Sequence, residues 1–358
     1  MPRVPEAARS LAAVLDELTG PAAPELVRDE GEGRVRCLAC GHRCRVLPGL
    51  RGICQVRVNE DGELRVPMGY VGALQCDPVE KKPFFHVAPG SRALTFGMLG
   101  CDLHCPYCQN WLTSQALRDE EALSPPQLVS ADALAQMAVD HHARVIASSY
   151  NEPLITSEWG VAVMRAGRAR GLITAYISNG NATPEVLDYL RPAVDCYKVD
   201  LKAMNQPNYQ KLGGRLENVL ATIEGLKQRD FWVEIVTLVI SGYNDSDEEL
   251  RAVAQFLAGI DPLMPWHVTA FHPDYHMTDR RATTPEQLLR AAEIGEEEGL
   301  RYVYCGNQSG LVGDREDTRC HGCGTLLVRR YGYLVLENRL GRSRGRCPEC
   351  ATVIPGIW

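Results

Sequence analysis

The amino-acid sequence predicts an α/β protein whose body has parallel strands joined by helical crossovers. Three observations predict this class. β-rich and helical segments alternate regularly from about residue 91, the composition is that of a globular protein with 45% apolar and 23% charged residues, and cysteine-rich segments flank the alternation. With 358 residues, the chain is long enough for one large domain or two to three smaller ones.

The predicted body strands are β-rich apolar runs bounded by turn or polar residues: Ala93–Leu99, Arg144–Ser148, Ile173–Ile177, Tyr197–Leu201, Trp232–Ile240, Trp266–Phe271 and a short seventh at Tyr302–Tyr304. Helical patterns lie between them: Ala131–His142, Ser157–Arg170, Glu185–Leu190, Glu217–Gln228, Asp247–Gly259 and Pro285–Glu298. A Ser246/Glu249 capping-box pair is expected to start the helix at Asp247. A sixfold alternation of this kind builds either a partial barrel or an open sheet.

The body therefore occupies 91–310, between two smaller modules. We expect an N-terminal helix and linker at 1–30, a cysteine-rich module at 31–90 and a second cysteine module at 311–358. The N-terminal module carries a hairpin signal between Gln55–Val58 and Glu63–Val66.

Charge and hydropathy exclude several classes of function. The net charge of −7 argues against nucleic-acid binding, because nucleic-acid-binding surfaces are usually basic. No run approaches the roughly 18 consecutive apolar residues of a membrane helix. Charges and prolines interrupt the N-terminus, which lacks the apolar core of a secretory signal. We therefore expect a cytoplasmic protein that binds neither nucleic acid nor membrane.

The 14 cysteines are the most informative residues. In a chain without a secretory signal, such cysteines more often bind metal or do chemistry than form disulfides. They fall into an N-terminal quartet, a central triplet, a C-terminal quartet and three single residues: Cys37, Cys40, Cys44 and Cys54; Cys101, Cys105 and Cys108; Cys320, Cys323, Cys347 and Cys350; and Cys76, Cys196 and Cys305. Clusters this tight indicate metal coordination.

The central triplet has the spacing C-x3-C-x2-C directly after the first body strand. Three thiolates on one loop can hold a [4Fe–4S] cluster and leave one iron open for a substrate or cofactor. The alternative is a zinc site with a distant fourth ligand. Active sites of α/β folds of this kind lie at the carboxyl ends of the strands, which favours the cluster.

This spacing, with Tyr107 just before the third cysteine, resembles the radical S-adenosylmethionine (SAM) superfamily. The resemblance implies a partial (β/α)6 TIM-like barrel, with SAM bound at the open iron of the cluster. It also implies an oxidoreductase that cleaves SAM reductively to a 5′-deoxyadenosyl radical, which abstracts hydrogen from a substrate. A one-electron donor such as flavodoxin or ferredoxin would then be required.

A closer resemblance covers nearly the whole chain. It rests on the segments Cys-Leu-Ala-Cys-Gly-His-Arg-Cys (37–44), Leu-Arg-Gly-Ile-Cys-Gln-Val-Arg-Val-Asn (50–59), Asp-Pro-Val-Glu-Lys-Lys-Pro-Phe-Phe-His (77–86), Ser-Tyr-Asn-Glu-Pro (149–153) and Ile-Pro-Gly-Ile-Trp (354–358). These segments resemble the radical SAM component of the AmmeMemoRadiSam system, which is related to pyruvate formate-lyase activating enzymes. The resemblance implies coupling with Memo-type and AMMECR-type proteins. Asp102 departs from it, since asparagine is more usual at that position.

Polar residues after the body strands are candidates for binding SAM. The resemblance assigns this role to Tyr107, Glu152, Ser178, Asn179, Asp200, Lys202 and His272. A carboxylate such as Glu152 matches the ammonium of SAM, although it is also a candidate helix N-cap. Asn179-Gly180 is equally typical of a turn. Lys198, Asp200 and Lys202 share a strand face, on which they can pair with one another. His272 can be a hydrogen-bonded residue at the mouth of the site.

The flanking quartets predict further metal sites. Two C-x2-C knuckles around a hairpin at Leu326–Arg330 and Tyr333–Glu337 predict a zinc-ribbon-like module with a closed, structural zinc; rubredoxin-type iron is the alternative. The N-terminal C-x2-C-x3-C-x9-C pattern suits zinc, an auxiliary iron–sulfur cluster or two disulfides, and zinc is the expected ligand. The chain would then bind one or two zinc ions.

The substrate stays open at this stage. An activase would take hydrogen from a backbone glycine of a glycyl-radical partner enzyme, whereas a small-molecule enzyme would bury its substrate under the N-terminal module. The added modules slightly favour a substrate other than a glycyl-radical enzyme. A non-catalytic zinc-binding adaptor is the rival from another class, but it would have no need of polar residues at the strand ends.

Overall fold

The computed structural model describes residues 10–358 and begins with small antiparallel sheets. Part of the predicted N-terminal helix, at 1–9, lies outside the described residues; the helix within them is α1 (Leu11–Asp16). The strands that follow are short: β1 (Thr19–Pro21), β2 (Val27–Asp29), β3 (Val35–Cys37), β4 (Arg45–Val46), β5 (Val58–Glu60), β6 (Glu63–Pro67) and β7 (Tyr70–Val71). They form the sheets β1-β6-β5 and β2-β3-β4, and the β5–β6 pair confirms the predicted hairpin.

The body is an eight-stranded sheet in the order β16-β15-β14-β13-β12-β11-β9-β8. The strands from this part of the chain are β8 (Ala73–Pro78), β9 (Arg92–Gly97), β10 (Gln127–Leu128), β11 (Ala143–Ser148), β12 (Ile173–Ser178), β13 (Cys196–Asp200), β14 (Trp232–Val239), β15 (Trp266–Ala270) and β16 (Val303–Gly306). Neighbouring strands from β9 to β16 pair in parallel, which confirms the predicted alternation. Strand β8, which the sequence did not reveal, pairs antiparallel with β9 at the edge, and β10 pairs with β7.

The crossovers between the parallel strands are helical, as predicted. The helices of the described chain after α1 are α2 (Trp111–Ser114), α3 (Ala131–Asp140), α4 (Ser157–Arg168), α5 (Pro184–Leu190), α6 (Gln206–Lys211), α7 (Leu216–Gln228), α8 (Asp247–Ile260), α9 (Pro285–Glu297) and α10 (Leu340–Ser343), with 3₁₀ turns at Pro24–Leu26, Val79–Lys81 and Pro153–Thr156. None of the described helices is long and apolar enough to cross a membrane.

Only one of the two hydrogen bonds of the expected capping box forms at the start of α8. The Ser246 hydroxyl accepts from the Glu249 backbone N–H at 3.2 Å. The Glu249 carboxylate does not return to the cap but accepts from the Asn205 side-chain amide at 2.7 Å. A partner from a distant loop therefore outcompetes the local bond.

The two faces of the sheet are covered by different parts of the chain. Side chains such as Ile146 and Tyr176 belong to the large core that the helices share with the sheet. Their neighbours on the opposite face, among them Ile177, pack against Val79 and Phe84 of the segment between β8 and β9. This second face is only partly filled by apolar residues, and the space that remains is the cavity described below.

The C-terminal module is a three-stranded sheet docked onto that segment. Its strands are β17 (Thr318–Arg319), β18 (Leu326–Tyr331) and β19 (Leu334–Asn338), and the β18–β19 hairpin is where the sequence predicts it. Arg330 from β18 donates to the Phe85 carbonyl at 2.8 Å. Val87 forms a parallel bridge with Ile357. The last residues of the chain therefore help to hold the segment that covers the open face of the sheet.

Candidate active site

The three central cysteines lie on the loop that leaves β9 at its carboxyl end. Cys105 is buried, Cys101 and Cys108 are half-buried, and all are free thiols. The Cys101 sulfur accepts from the Leu103 N–H at 3.4 Å, and the Cys108 sulfur lies 3.1 Å from the Ser114 hydroxyl oxygen. The loop thus presents three thiols from one side, as the spacing predicts.

Asp102, a residue without a predicted role, fixes this loop. Its side chain is fully buried and accepts from the side-chain amides of Asn179 at 2.7 Å and Asn181 at 2.8 Å. Its backbone carbonyl lies 3.0 Å from Nε2 of His42 in the N-terminal module. Asp102 therefore connects the cysteine loop with the end of β12 and with the N-terminal quartet.

The thiols open onto a cavity of about 390 Å³. The predicted residues that line it are Cys101, Cys105, Cys108, Tyr107, Glu152, Ser178, Asn179, Asp200 and Lys202. These residues come from the carboxyl ends of β9, β11, β12 and β13, or from the loops directly after them. Because carboxyl ends of neighbouring parallel strands meet at one edge of a sheet, the sequence pattern was sufficient to predict their meeting.

Glu152 is both a cap and a cavity residue. Its carboxylate accepts from the Ser178 hydroxyl at 2.7 Å, the Asn179 N–H at 2.7 Å and the Leu154 N–H at 3.1 Å, and the last of these caps the turn at Pro153–Thr156. Burial and the nearby charge of Asp102 raise the pKa of Glu152 to about 8. Glu152 is therefore a cap, as the alternative interpretation holds. A cationic ligand in the cavity would offset the unfavourable burial of its charge.

Lys198, Asp200 and Lys202 form the ion network that their alternation predicts. Asp200 pairs with Lys198, and with Lys202 at 3.5 Å. Burial opposes the charge on Asp200, but the two lysines hold its pKa below the usual value. Burial likewise opposes the charge on Lys202, yet Asp200 and the neighbouring thiols hold its pKa above the usual value. The network lines the cavity, so internal pairing and ligand binding are compatible.

Two predicted residues lie at different depths. Tyr107 is buried and packs edge-on against Tyr243, with ring centroids 5.9 Å apart. His272 is exposed, and its Nε2 atom lies 3.2 Å from the side-chain amide of Gln109. Gln109 lines the cavity, whereas His272 is not among the lining residues. Strand β15 ends at Ala270, so His272 stands beyond the strand end at which the sequence placed it.

On the opposite side of the cavity, sequence reasoning indicated only that the segment at 77–83, by its unusual composition, covers the mouth, and it gave no residue there a role. His267 on β15 lines it and lies 2.7 Å from the Glu234 carboxylate. Glu234 also accepts from the N–H groups of Phe85 and His86 at 2.9 and 3.0 Å, which anchors the covering segment. Lys82 from the same segment donates to the Tyr150 hydroxyl at 3.0 Å. In the sequence, the alternation of His267 and Thr269 with apolar residues in β15 is a signal that points to this side.

The two cysteine quartets differ in geometry. The sulfur atoms of Cys320, Cys323, Cys347 and Cys350 lie within 4.8 Å of one another, and within residues 10–358 this is the one such group of potential metal ligands. The C-terminal four can therefore hold a single metal ion. The N-terminal four, Cys37, Cys40, Cys44 and Cys54, are also free thiols but stand further apart.

Comparison with known proteins identifies the family. The sequence profile of the Radical SAM superfamily matches residues 96–257, from the end of β9 into α8. An uncharacterized protein of Methanocaldococcus jannaschii is 34% identical over 326 residues, which cover 90% of this chain and 96% of that protein. The chain belongs to the radical SAM superfamily. It is a radical SAM enzyme, and part of its sequence is similar to activating enzymes.

Two named relatives match over shorter regions. The isethionate sulfite-lyase activating enzyme of Oleidesulfovibrio alaskensis is 26% identical over 40% of this chain and 48% of its own length. The choline trimethylamine-lyase activating enzyme of the same organism is 29% identical over 32% of this chain and 40% of its own length. The chain thus spans about half or less of the activating enzymes that it matches.

Two solved structures are similar to part of this chain. A domain of pyruvate-formate lyase-activating enzyme from Bacteroides vulgatus is 22% identical and covers 44% of this chain and 94% of its own, with a TM-score of 0.39. A radical SAM methyltransferase from Sphaerobacter thermophilus is 18% identical and covers 66% of this chain and 71% of its own, with a TM-score of 0.47.

Superfamily membership implies a [4Fe–4S] cluster and SAM, and the residues present fit both. The donor set of Cys101, Cys105 and Cys108 consists of free thiols on one loop, as iron–sulfur clusters require. The cavity beside them offers carboxylates and lysines, which match the ammonium and carboxylate groups of an amino-acid ligand by charge.

Proposed function

We propose that this enzyme cleaves SAM reductively and abstracts hydrogen from a substrate held in the same cavity. The observation that carries the proposal is that the three thiols and the polar strand ends line one cavity of about 390 Å³. A [4Fe–4S] cluster held by Cys101, Cys105 and Cys108 would supply the electron for the cleavage of SAM, and SAM would supply the radical that takes hydrogen from the substrate. An external one-electron donor, of the flavodoxin or ferredoxin type, completes the electron balance.

The protein side chains orient SAM in this proposal. Glu152 would bind the ammonium group, Asp200 and Lys202 would bind the ribose and carboxylate groups, and Tyr107 would contact the adenine. Ser178 and the backbone of Asn179 hold the Glu152 carboxylate in place through their 2.7 Å hydrogen bonds. His272 acts through Gln109, since it does not line the cavity.

The far side of the cavity supports a small substrate. Lys82 and Phe85 line it from the covering segment, and Tyr333 lines it from the C-terminal module. The Tyr333 hydroxyl donates to Asn307 at 2.8 Å, which joins that module to the end of β16. A substrate that reacts here must fit beneath these two segments, and a small molecule fits more readily than a folded protein loop.

A glycyl-radical activase is the second candidate. Its support is the likeness to two proteins that are named as activating enzymes. In this case the segment at 79–88 and the C-terminal module would have to move aside for the partner enzyme. Hydrogen–deuterium exchange of the SAM-bound enzyme separates the two candidates: these segments should exchange rapidly in an activase, which must open them for its partner, and should stay protected in an enzyme that holds a small substrate beneath them.

The remaining parts of the proposal concern partners and the C-terminal metal. The resemblance of the segments at 37–44, 50–59 and 77–86 supports membership of the AmmeMemoRadiSam system, and hence association with Memo-type and AMMECR-type proteins.

The C-terminal sulfurs support zinc in a zinc-ribbon-like module: the Cys320–Cys350 and Cys323–Cys347 sulfur pairs are each 3.6 Å apart. Four thiolates at about 2.3 Å from one tetrahedral zinc ion lie about 3.8 Å from one another.

The test is formation of 5′-deoxyadenosine. The protein is purified anaerobically, reconstituted with iron and sulfide, and mixed with SAM and dithionite. We expect 5′-deoxyadenosine from the wild type and none from Cys105→Ala, while Cys196→Ala, which removes a buried cysteine outside the cavity, serves as the matched control. Zinc alone, with no sulfide and no SAM cleavage in the wild type, would refute the enzyme and leave a zinc-binding adaptor.

A further inference from the structure

We propose that the N-terminal quartet holds a second iron–sulfur cluster, next to the central cysteine loop, through which electrons reach that loop. This site is formed by Cys37, Cys40, Cys44 and Cys54. Cluster binding by these four cysteines is inferred from their geometry alone. The claim that electrons pass through it rests on the proposed function.

The four thiols are gathered by two short hairpins. The Cys37 N–H donates to the Cys44 carbonyl at 2.9 Å, so these two cysteines face each other across one hairpin, with Cys40 in its turn. The second hairpin brings Cys54 alongside. A Cβ atom on Gly52 would lie 3.7 Å from the Cys44 sulfur and 3.8 Å from the Cys54 sulfur, so both thiols lie beside Gly52.

Donors already point at the sulfur atoms. The Ile53 N–H donates to the Cys44 sulfur at 3.5 Å, and the Arg57 guanidinium donates to the Cys37 sulfur at 3.4 Å. Arg57 is 1% exposed and pairs with the equally buried Glu158. Hydrogen bonds to the sulfurs and a nearby positive charge are features that stabilise thiolate-bound clusters and set their potential.

The spacing of the sulfurs favours a cluster over one zinc ion. Thiolates that share a single ion lie close together, as the C-terminal quartet does. Within the described chain, no three of the N-terminal sulfurs lie mutually within 4.8 Å, and the same holds for the central triplet. Thiolates that bind different irons of one cluster stand further apart than thiolates around a single ion. The zinc that the sequence led us to expect here is therefore the poorer match.

The quartet touches the central loop at three points. A Cβ atom on Gly100, just before Cys101, would lie 3.0 Å from the Cys54 carbonyl oxygen, so glycine permits the close approach. His42, between Cys40 and Cys44, lies 3.0 Å from the Asp102 carbonyl.

Arg118 forms the third link. It donates to the Ile53 carbonyl at 2.5 Å and to the Leu103 carbonyl at 2.9 Å. Ile53 itself is exposed, so the quartet lies between the protein surface and the central loop. Four thiolate ligands leave no iron open, and such clusters mainly transfer electrons. One electron from a reduced flavodoxin or ferredoxin would enter here and leave towards the central cysteines.

The first experiment isolates the second cluster. A variant that carries Cys101→Ala, Cys105→Ala and Cys108→Ala is reconstituted anaerobically, and its iron, sulfide and zinc are counted. We expect about two to four iron atoms with as many sulfides, and an electron paramagnetic resonance signal after reduction. This iron should be lost when Cys37→Ala and Cys54→Ala are added, and kept when the matched control Cys196→Ala is added instead. An absence of iron, or a second zinc ion per chain, overturns the proposal.

The second experiment tests the electron path without relying on a strongly altered variant. In Cys44→Ser, at the least buried of the four cysteines, SAM cleavage is measured with flavodoxin and with dithionite. We expect the rate with flavodoxin, divided by the rate with dithionite, to be lower in this variant than in the wild type. An unchanged ratio overturns the electron path. If the wild type yields no 5′-deoxyadenosine but the triple variant still holds iron and sulfide, the proposed function fails and the second cluster stands.

Discussion

The two cysteine quartets that flank the body are connected to the rest of the molecule in opposite ways. The C-terminal four are drawn together, and two of them, Cys323 and Cys350, are exposed. The N-terminal four are spread further apart, three of them are buried, and their loops contact the central cysteine loop directly. The same set of four cysteines thus stands in partly exposed knuckles at one end and in loops that pack against the central cysteine loop at the other. Ligand type and number alone do not decide what a metal site does.

The largest effect is expected when the zinc ion that we propose for the C-terminal quartet is removed. Cys347→Ser takes away one of four ligands, and zinc binding contributes about 10 kcal/mol to folding in small zinc modules. We expect the loss of one zinc per chain and rapid tryptic cleavage between residues 311 and 358. The measurement is zinc analysis combined with limited proteolysis.

Iron content is the control for that experiment. Because the C-terminal sulfurs do not line the cavity, the iron bound by Cys347→Ser should equal that of the wild type. A parallel loss of iron would mean that the two ends of the molecule are not independent, which would contradict the difference between the two quartets.

The next effect tests how firmly the N-terminal quartet is joined to the body. Glu158→Ala leaves the Arg57 charge buried without its partner, which costs about 3–5 kcal/mol. We expect a loss of this size in the free energy of unfolding, measured with urea. The matched control is Glu349→Ala at the C-terminal end, where the pair with Arg339 is exposed and contributes about 0–1 kcal/mol. Equal effects of the two variants would contradict the difference between the ends.

Two buried contacts, Arg57 with Glu158 and His267 with Glu234, show what the sequence predicts and what it cannot. Periodic apolar runs located every parallel strand from β9 to β16, and the spacing of Cys101, Cys105 and Cys108 located the cavity, because both signals are local. Arg57 and Glu158 are 101 residues apart, and His267 and Glu234 come from different strands. No local pattern pairs such residues, since their contact depends on how the modules dock. The antiparallel edge strand β8 escaped prediction for a similar reason: it is held by pairing with β9, and its alternation of Leu74 and Cys76 with Gln75 and Asp77 is too short to distinguish a strand.

A smaller effect is expected at the residue that joins the quartet to the active site. The Asp102 carboxylate accepts from two side-chain amides, those of Asn179 and Asn181. Asp102→Asn supplies only one acceptor oxygen, so one buried donor loses its partner at a cost of about 1–3 kcal/mol. Urea unfolding checks this, with the exposed Asp188→Asn as the control, for which we expect a change within about 0.5 kcal/mol. No difference between the two variants would show that the network rearranges freely.

A pH dependence of the stability is expected at Glu152, which lies near the N-terminal contacts of the site, and not at the C-terminal quartet. Burial and Asp102 raise the pKa of Glu152 in the folded protein to about 8, from an ordinary unfolded value. A raised folded pKa means that the folded state binds a proton which the unfolded state releases earlier. The contribution of Glu152 to stability is therefore fully present below its unfolded pKa and is lost as the pH rises through 8.

Glu152→Gln removes this titration. It also disturbs the hydrogen bond from the Asn179 N–H, so its stability at a single pH is not informative, and the readout is the change in unfolding free energy between pH 5 and pH 9. Each unit of pKa shift corresponds to about 1.4 kcal/mol, so even one unit gives the wild type a measurably steeper loss than the variant. Bound SAM should flatten the wild-type profile, because its ammonium stabilises the charged carboxylate, and should not alter that of Glu152→Gln. Parallel profiles for the two proteins without SAM would show that the buried carboxylate does not titrate in this range. The role of Glu152 as the partner of the ammonium would then lose its electrostatic basis, although its role as a cap would remain.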